Sequence, residues 1–368
     1  MNKEEQICSK CVMDTTDPLI IFNDEGVCNH CLEYDEKIKS INQNTFELDS
    51  VIERVKSEGK GRKYDCIIGL SGGVDSTYVA HLVKELKLRP LAIHLDNGWN
   101  SETAVMNVKN TVEKLNIDLI TYVINWEEFA DIQRSFFLSG TPDVEVPSDH
   151  AIFSILRKYA KKFKVKYVIN GINFKTESHH VLSWSQGHSD WKYIKSVHKK
   201  FGKKKIKTFP HGNIFTILSD RISNNWINIL DYVDYNKDDA KKLIIEKLDW
   251  KDYGGKHFES IFTRFYQGYY LKEKFNYDKR KMHLSSLICG NLISREDSLK
   301  TLKEPTYDSE IQKRDLKFVQ KKLRLNKQDW DNIMSTALKS YYDYDSYYGK
   351  ILKSSYYSLI KKIISKII

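Results

Sequence analysis

No stretch of this sequence approaches the roughly 18 consecutive apolar residues that cross a bilayer, so no transmembrane helix is expected. The first ten residues are polar and include Cys8, which does not fit a secretory leader and predicts a cytoplasmic protein. Cysteine is scarce, with six in 368 residues, and thiols in a reducing compartment are not expected to pair as disulfides. Internal repeats and long linkers are missing too. No Lys follows Gly73, which excludes a Walker A loop, and there is no dinucleotide fingerprint in its place. The chain offers neither an N-terminal Cys nor a Gly-x-Cys-x-Gly elbow, so a built-in glutaminase is not expected.

What is present begins with the cysteines. Four of the six fall in the first 31 residues, as Cys8-x-x-Cys11 and Cys28-x-x-Cys31 with sixteen residues between the knuckles. This is a zinc-ribbon spacing. Four thiolates close a tetrahedral shell with no open position, which is a structural role; an iron–sulfur cluster is the rival. His30 lies inside the second knuckle but is not needed to complete the shell. The segment between the knuckles is too short for a core of its own, so the metal is expected to hold it together. The apolar fraction of 41% supports a sizeable core. The net charge of +10 points to an anionic partner, or simply to a lysine-rich composition.

From residue 65 the pattern alternates. Apolar runs at 65–70, 91–95, 117–124 and 165–169 read as strands. Helical patterns at 77–86, 101–115, 126–138 and 149–163 separate them, with Asp149 a candidate N-cap. Such alternation predicts an α/β fold, a parallel doubly wound sheet with helices on both faces and ligands at the carboxyl ends of the strands. The expected organisation is a zinc-knuckle segment at 1–45, the sheet domain at 46–182 and a mainly helical C-terminal region at 183–368. In that last region helices are expected at 238–248, 256–275, 307–323 and 356–368. The final one carries Ile and Leu on one side and Lys on the other, which fits a docked helix, a homodimer contact or a membrane surface. The lysine-rich run at 192–207 has few interleaved aromatics for stacking on bases, so it reads as a solvated or partner-docking loop and no nucleic acid is expected.

The sharpest signal is Leu70-Ser71-Gly72-Gly73-Val74-Asp75-Ser76, at the junction of a strand and a helix. Two glycines let the backbone approach an anion, and the helix N-terminus points its N–H groups at the same place. Ser71 and Ser76 add hydroxyls, and Asp75 suits Mg²⁺ rather than bare phosphate. This stretch resembles the PP-loop of the ATP pyrophosphatase superfamily, of the adenine nucleotide alpha hydrolase-like type, whose members split ATP to AMP and pyrophosphate. The resemblance implies that Leu70 to Ser76 bind the pyrophosphate and that His94, Leu95 and Asp96 lie beside adenosine, with Gly171 on the same sheet edge.

Two PP-loop families compete. Several tRNA-thiolating enzymes carry similar knuckles, but their chemistry needs reactive cysteines after the loop, where only Cys289 stands. The chain more closely resembles the N-acetyl sugar amidotransferases of surface-polysaccharide and sialic-acid-like sugar pathways. That resemblance runs through Cys8 to Pro18, the PP-loop, Leu95-Asp-Asn-Gly-Trp-Asn100, Asn170-Gly-Ile-Asn173, 255–260 and 278–283. One departure is Cys289, where a small residue is expected. The resemblance implies that ATP adenylates the acetamido oxygen of a nucleotide-linked N-acetyl sugar, and that ammonia displaces AMP to leave an acetamidino group. It also implies separate glutaminase and cyclase-like partners, similar to those of imidazole-glycerol-phosphate synthase. ATP, Mg²⁺ and structural Zn²⁺ are the expected cofactors. Asp75, Ser71 and Glu177 are the candidate catalytic residues, and His150, Asn173, His257, Arg264, Lys279, Arg280 and Lys281 the candidate substrate residues. In a helix spanning 256–275, His257 and Arg264 would share a face and Glu259 would point elsewhere.

Overall fold

β1 (Cys66–Gly69) runs through the middle of the fold with apolar cover on both faces. Side chains alternate along a strand. Ile67 enters one apolar cluster with Ile93, Phe129 and Ile155, while Cys66 and Ile68 enter another with Val79, Val83 and Ile244. A strand covered on both sides needs a continuous apolar run, which is why this one shows no polar alternation. Each fully buried Ile contributes about 1.5–3 kcal/mol.

The computed structural model describes residues 5–44, 47–213, 215–216, 225–255 and 258–352. Among these, β2 (Pro90–Asp96), β3 (Asp118–Val123), β4 (Tyr167–Asn170) and β5 (Trp226–Asn228) join β1 in one parallel sheet of order β3-β2-β1-β4-β5. The chain winds outward from β1 to β3, then returns past β1 to β4. The crevice between β1 and β4 is the switch point where parallel sheets bind ligands. The loops after these two strands, 70–73 and 171–173, both open there.

The helices expected between the strands form as Val74–Glu85, Glu102–Leu115 and Trp126–Ser139. The last two are capped by Ser101 and Asn125, which accept from Ala104 N and Glu128 N. The fourth, Val146–Lys162, starts earlier than expected, with Pro147 in its first turn and Glu145 at the N-cap. Asp149 is therefore inside the first turn and is not the cap.

The sheet does not end at residue 182. β5 and the helix Lys237–Leu248, which packs against Val74–Glu85, complete it from later in the chain. The lysine-rich run is mostly the helix Trp191–Phe201, which buries Tyr193, Ile194 and Val197 and leaves lysines outside. The helix expected over 256–275 begins only at Ile261. The preceding backbone is spent on 99–101: Ser101 N donates to Glu259 O at 2.8 Å and Ile261 N to Trp99 O at 3.0 Å. A π-helical segment, Tyr266–Tyr270, then interrupts it before Leu271–Phe275. The helix expected at 307–323 forms as Ser309–Lys322, capped by Asp308. The expected helix at 356–368 lies outside the described residues. No helix among the described residues is long and apolar enough to cross a membrane.

Candidate functional site

The loop after β1 is built around Gly72. Its φ is +83°, and a Cβ there would lie 2.3 Å from Ala104 O. Only glycine suits both constraints. The Gly72 carbonyl accepts from Trp250 Nε1 at 2.9 Å and from Asn107 Nδ2 at 3.3 Å, so this residue locks the loop and does not line the cavity. Gly73 then caps the helix without a side-chain oxygen, so the positive end of the helix dipole faces the place where an anion would sit. Ser71 Oγ lies 3.1 Å from Ser76 Oγ, placing both hydroxyls on the same side of the loop.

Asp75 is the loop's carboxylate. Tyr235 Oη donates to its Oδ1, and Lys237 Nζ lies 3.2 Å from Oδ2. Burial and the Asp75 charge keep the Tyr235 phenol protonated. Ser71, Asp75, Ser76, Glu177, Lys237 and Glu259 share a cavity of about 200 Å³, with Gly171 and Tyr253 also on its wall. A Cβ on Gly171 would lie 3.2 Å from the Asp75 backbone, so glycine allows this close approach. Carboxylate oxygens in a phosphate-sized cavity are the hard donors that Mg²⁺ takes, so Asp75 and Glu177 fit that ion.

A second cavity of about 500 Å³ starts at Ser71 and Ser76, passes His94, Leu95 and Trp99, and reaches Glu145 and Lys279. His94 is fixed by Leu70 O at 2.7 Å from Nδ1 and by Asn100 at 3.2 Å from Nε2. Asp96 accepts from Gly98 N at 2.9 Å and shapes the turn without lining this cavity. Glu145 accepts from Thr263 Oγ1 at 2.5 Å and from Gln267 Nε2 at 3.4 Å. Burial first, and then Asp149 and Asp143, push the Glu145 carboxyl up to about 7 against the opposing pull of Lys279.

A third cavity of about 280 Å³ meets both others, sharing Glu177 with the first and Gln267 and Lys279 with the second. Lys279 packs over the Tyr266 ring at 5.2 Å, at the junction. Lys279, a candidate substrate residue from the sequence, thus lines the second and third cavities. Arg264 and Arg280 also line this cavity, but their charges are committed. Arg264 forks onto Asp315 at 2.7 and 2.8 Å, and Arg280 is 2.6 Å from Asp278 and donates to the Glu304 carbonyl.

Other candidates serve the scaffold. Asn173 caps the short helix Phe174–Glu177 and donates to Leu230 O, which spends its amide. Lys281 pairs with Asp14 and ties the cysteine segment down. His150 stacks on Trp191 and Phe209 away from the cavities, its Nδ1–H donating to His188 O at 2.8 Å, and burial lowers its pKa to about 4. His257 lies outside the described residues. Glu259 does face the loop, because its segment is extended and not helical. Tyr235, Lys237, Tyr253 and Trp250 were not legible as site residues: nothing local in the sequence marks them, and only the return of the chain past β5 brings them to the loop.

The cysteine segment packs against Val181 and Trp184. Sγ–Sγ distances are 3.9 Å for Cys8–Cys31 and 3.7 Å for both Cys11–Cys28 and Cys28–Cys31. Metal–sulfur bonds of about 2.3 Å in a tetrahedron give edges of about 3.8 Å. The four thiols therefore fit Zn²⁺. Backbone N–H groups of Cys11 and Cys28 point at Cys8 Sγ, as thiolates require. His30 is 2.9 Å from Asp17 and is not part of the set.

Residues 47–181 match the NAD synthase family, and residues 259–361 match the family described as LPS biosynthesis protein WbpG-like, C-terminal domain. An uncharacterized protein of Methanocaldococcus jannaschii is 26% identical over 316 residues, which cover 83% of this chain and 95% of the relative. A tRNA-specific 2-thiouridylase of Fusobacterium nucleatum is 27% identical over 245 residues, 63% of either chain. Among solved structures, an NH3-dependent NAD synthetase from Campylobacter jejuni has 15% identity and a TM-score of 0.33, covering 77% of this chain and 94% of its own. An NMN synthetase from Francisella tularensis has 16% identity and a TM-score of 0.34, covering 84% and 98%. The chain thus carries an NAD synthase-like PP-loop ATP pyrophosphatase domain and a WbpG-like C-terminal domain.

Proposed function

We propose that this protein is an ATP-dependent amidotransferase that converts the acetamido group of a nucleotide-linked N-acetyl sugar into an acetamidino group, for surface polysaccharide synthesis in the cytoplasm. The observation that carries the reading is three adjoining cavities beside one PP-loop, which share Lys279 and Glu177 in their walls. The match of 259–361 to an LPS biosynthesis domain supports it, because that segment supplies Glu259, Gln267 and Lys279 to the cavity walls.

The residues divide the work. N–H groups at the helix N-terminus, with Ser71, Ser76 and Lys237, hold the pyrophosphate, and Asp75 and Glu177 would hold Mg²⁺, which offsets its charge. His94 and Leu95 flank the adenosine side of the large cavity. The acceptor occupies the cavity around Lys279, Phe258 and Tyr307, an aromatic and polar lining that suits a sugar. The acetamido oxygen attacks the α-phosphorus and pyrophosphate leaves. Ammonia then adds to the imidate carbon, AMP leaves, and one proton is released. No protein nucleophile is needed. Ammonia comes from a separate glutaminase with a cyclase-like subunit, the 183–368 region serving as acceptor and partner domain.

The thiouridylase relative raises tRNA thiolation as a second reading. Among the thiols outside the four-cysteine set, Cys66 is fully buried in β1 and Cys289 lies against Cys31. They cannot form the reactive pair that sulfur transfer requires.

The test is the nucleotide product formed with Mg-ATP, ammonium and a panel of UDP-, CMP- and GDP-linked acetamido sugars, beside bulk tRNA with a sulfur donor. AMP and pyrophosphate formed with one sugar only is the expected result. AMP formed with tRNA only would overturn the proposal.

A further inference from the structure

Cys289 places a fifth thiol at the N-terminal cluster. Its Sγ lies 3.6 Å from Cys31 Sγ, as close as the members of the four-thiol set lie to one another. His179 reaches the same point from the segment after Phe174–Glu177. The ligand atoms of Cys31, His179 and Cys289 all lie within 4.8 Å of one another, and all three residues are buried.

The imidazole is the telling group. His179 is only 4% exposed. Ser178 Oγ and Ser286 Oγ lie 3.1 and 3.2 Å from its Nδ1, and its Nε2 has no hydrogen-bond partner. A buried polar nitrogen without a hydrogen bond is destabilising unless another ligand satisfies it. A histidine with one nitrogen anchored and the other bare is the arrangement that metal ligands adopt, where the outer hydrogen bond fixes the ring.

We propose that Cys31, His179 and Cys289 hold a second metal ion of the zinc class, with Cys31 bridging it to the ion in the four-thiolate site. Binding displaces the Cys289 thiol proton to solvent, and no electron is transferred. Five thiolates, one neutral imidazole and two divalent ions sum to a single negative charge, less than the four-thiolate site would carry with one ion. Three protein ligands leave the fourth position to solvent or to a ligand atom. His179 and Ser286 line the cavity of about 280 Å³, which sets this incomplete shell at the wall of the proposed acceptor pocket. The same geometry accounts for the Cys at position 289 where a small residue was expected.

The test is metal content of the full-length protein after dialysis against metal-free buffer, by elemental analysis. Two zinc ions per chain are expected in the wild type, and one in Cys289→Ala and in His179→Gln. One ion in the wild type, or two retained in both variants, overturns the proposal, as does iron in place of zinc. Native mass spectrometry of the wild type counts the ions without any variant, so a misfolded mutant does not remove the test.

Discussion

Lys237 Nζ stands 3.2 Å from Asp75 Oδ2, so the one carboxylate of the PP-loop is paired with a cation brought from the far side of β5. This pairing restrains Asp75 among phosphate ligands and adds a positive charge where pyrophosphate would sit. Asp75→Asn is expected to lower AMP formation by at least about 100-fold, the usual scale for losing a group that stabilises developing charge. Lys237→Ala should also slow it, with the melting temperature of both variants near wild type. Turnover that survives in Asp75→Asn would refute the assignment of the loop.

Gly72→Ala should destabilise the fold itself. The residue has φ +83°, and the new methyl would meet Ala104 O at 2.3 Å. Backbone strain of this kind costs about 1–3 kcal/mol. A thermal melt that drops by a few degrees or more is expected, and an unchanged melt would mean that the loop relaxes freely.

Arg264 holds Asp315, which is 2% exposed. Arg264→Leu strands that carboxylate, and breaking such a pair costs about 3–5 kcal/mol. The Arg264→Leu, Asp315→Leu double variant should recover much of the loss in denaturant titrations. If Arg264 served the substrate alone, the single variant would melt like wild type.

Glu145 predicts a pH signature in stability. Its carboxyl is raised from 4.5 to about 7, so between these values the unfolded chain ionises while the folded one keeps its proton. Stability from this group is full below pH 4.5 and is lost as pH rises toward 7, by roughly 3 kcal/mol at most. Glu145→Gln should therefore gain on wild type as pH climbs through that window. Parallel unfolding curves for the two proteins across pH 4.5–7 would contradict this.

Cys8→Ser removes one ligand of the four-thiolate site. It should lower zinc content and solubility together, because Arg295 donates to the carbonyls of Cys8 and Cys11 and Lys281 pairs with Asp14, coupling the segment to the C-terminal helices. A soluble, metal-free variant with normal melting would rule out a structural metal.

The sheet was legible because β1 to β4 and their helices are local: apolar runs, caps such as Ser101 and Asn125, and the glycines of the loop all act over a few residues. β5 was not, since three residues carry too short a pattern, and its partner β4 is reached across a long insertion. The helical phase assumed for Glu259 failed because pairing of 259–261 with 99–101 is a tertiary fact. The basic residues at 264, 280 and 281 read as substrate residues, yet each is paired with a carboxylate: Asp315, Asp278 and Asp14. A charge in a sequence does not announce its counterion.

Val74 N donates to Tyr253 Oη across 179 positions of chain, and Glu259 lies beyond even that. On the ribosome the Ser-Gly-Gly-Val-Asp-Ser loop emerges long before the residues that wall it in. The nascent chain therefore carries a recognisable nucleotide loop with no completed pocket until β5 and the segment through Glu259 have been synthesised, so premature termination between the loop and that point yields a protein with the motif and without the site.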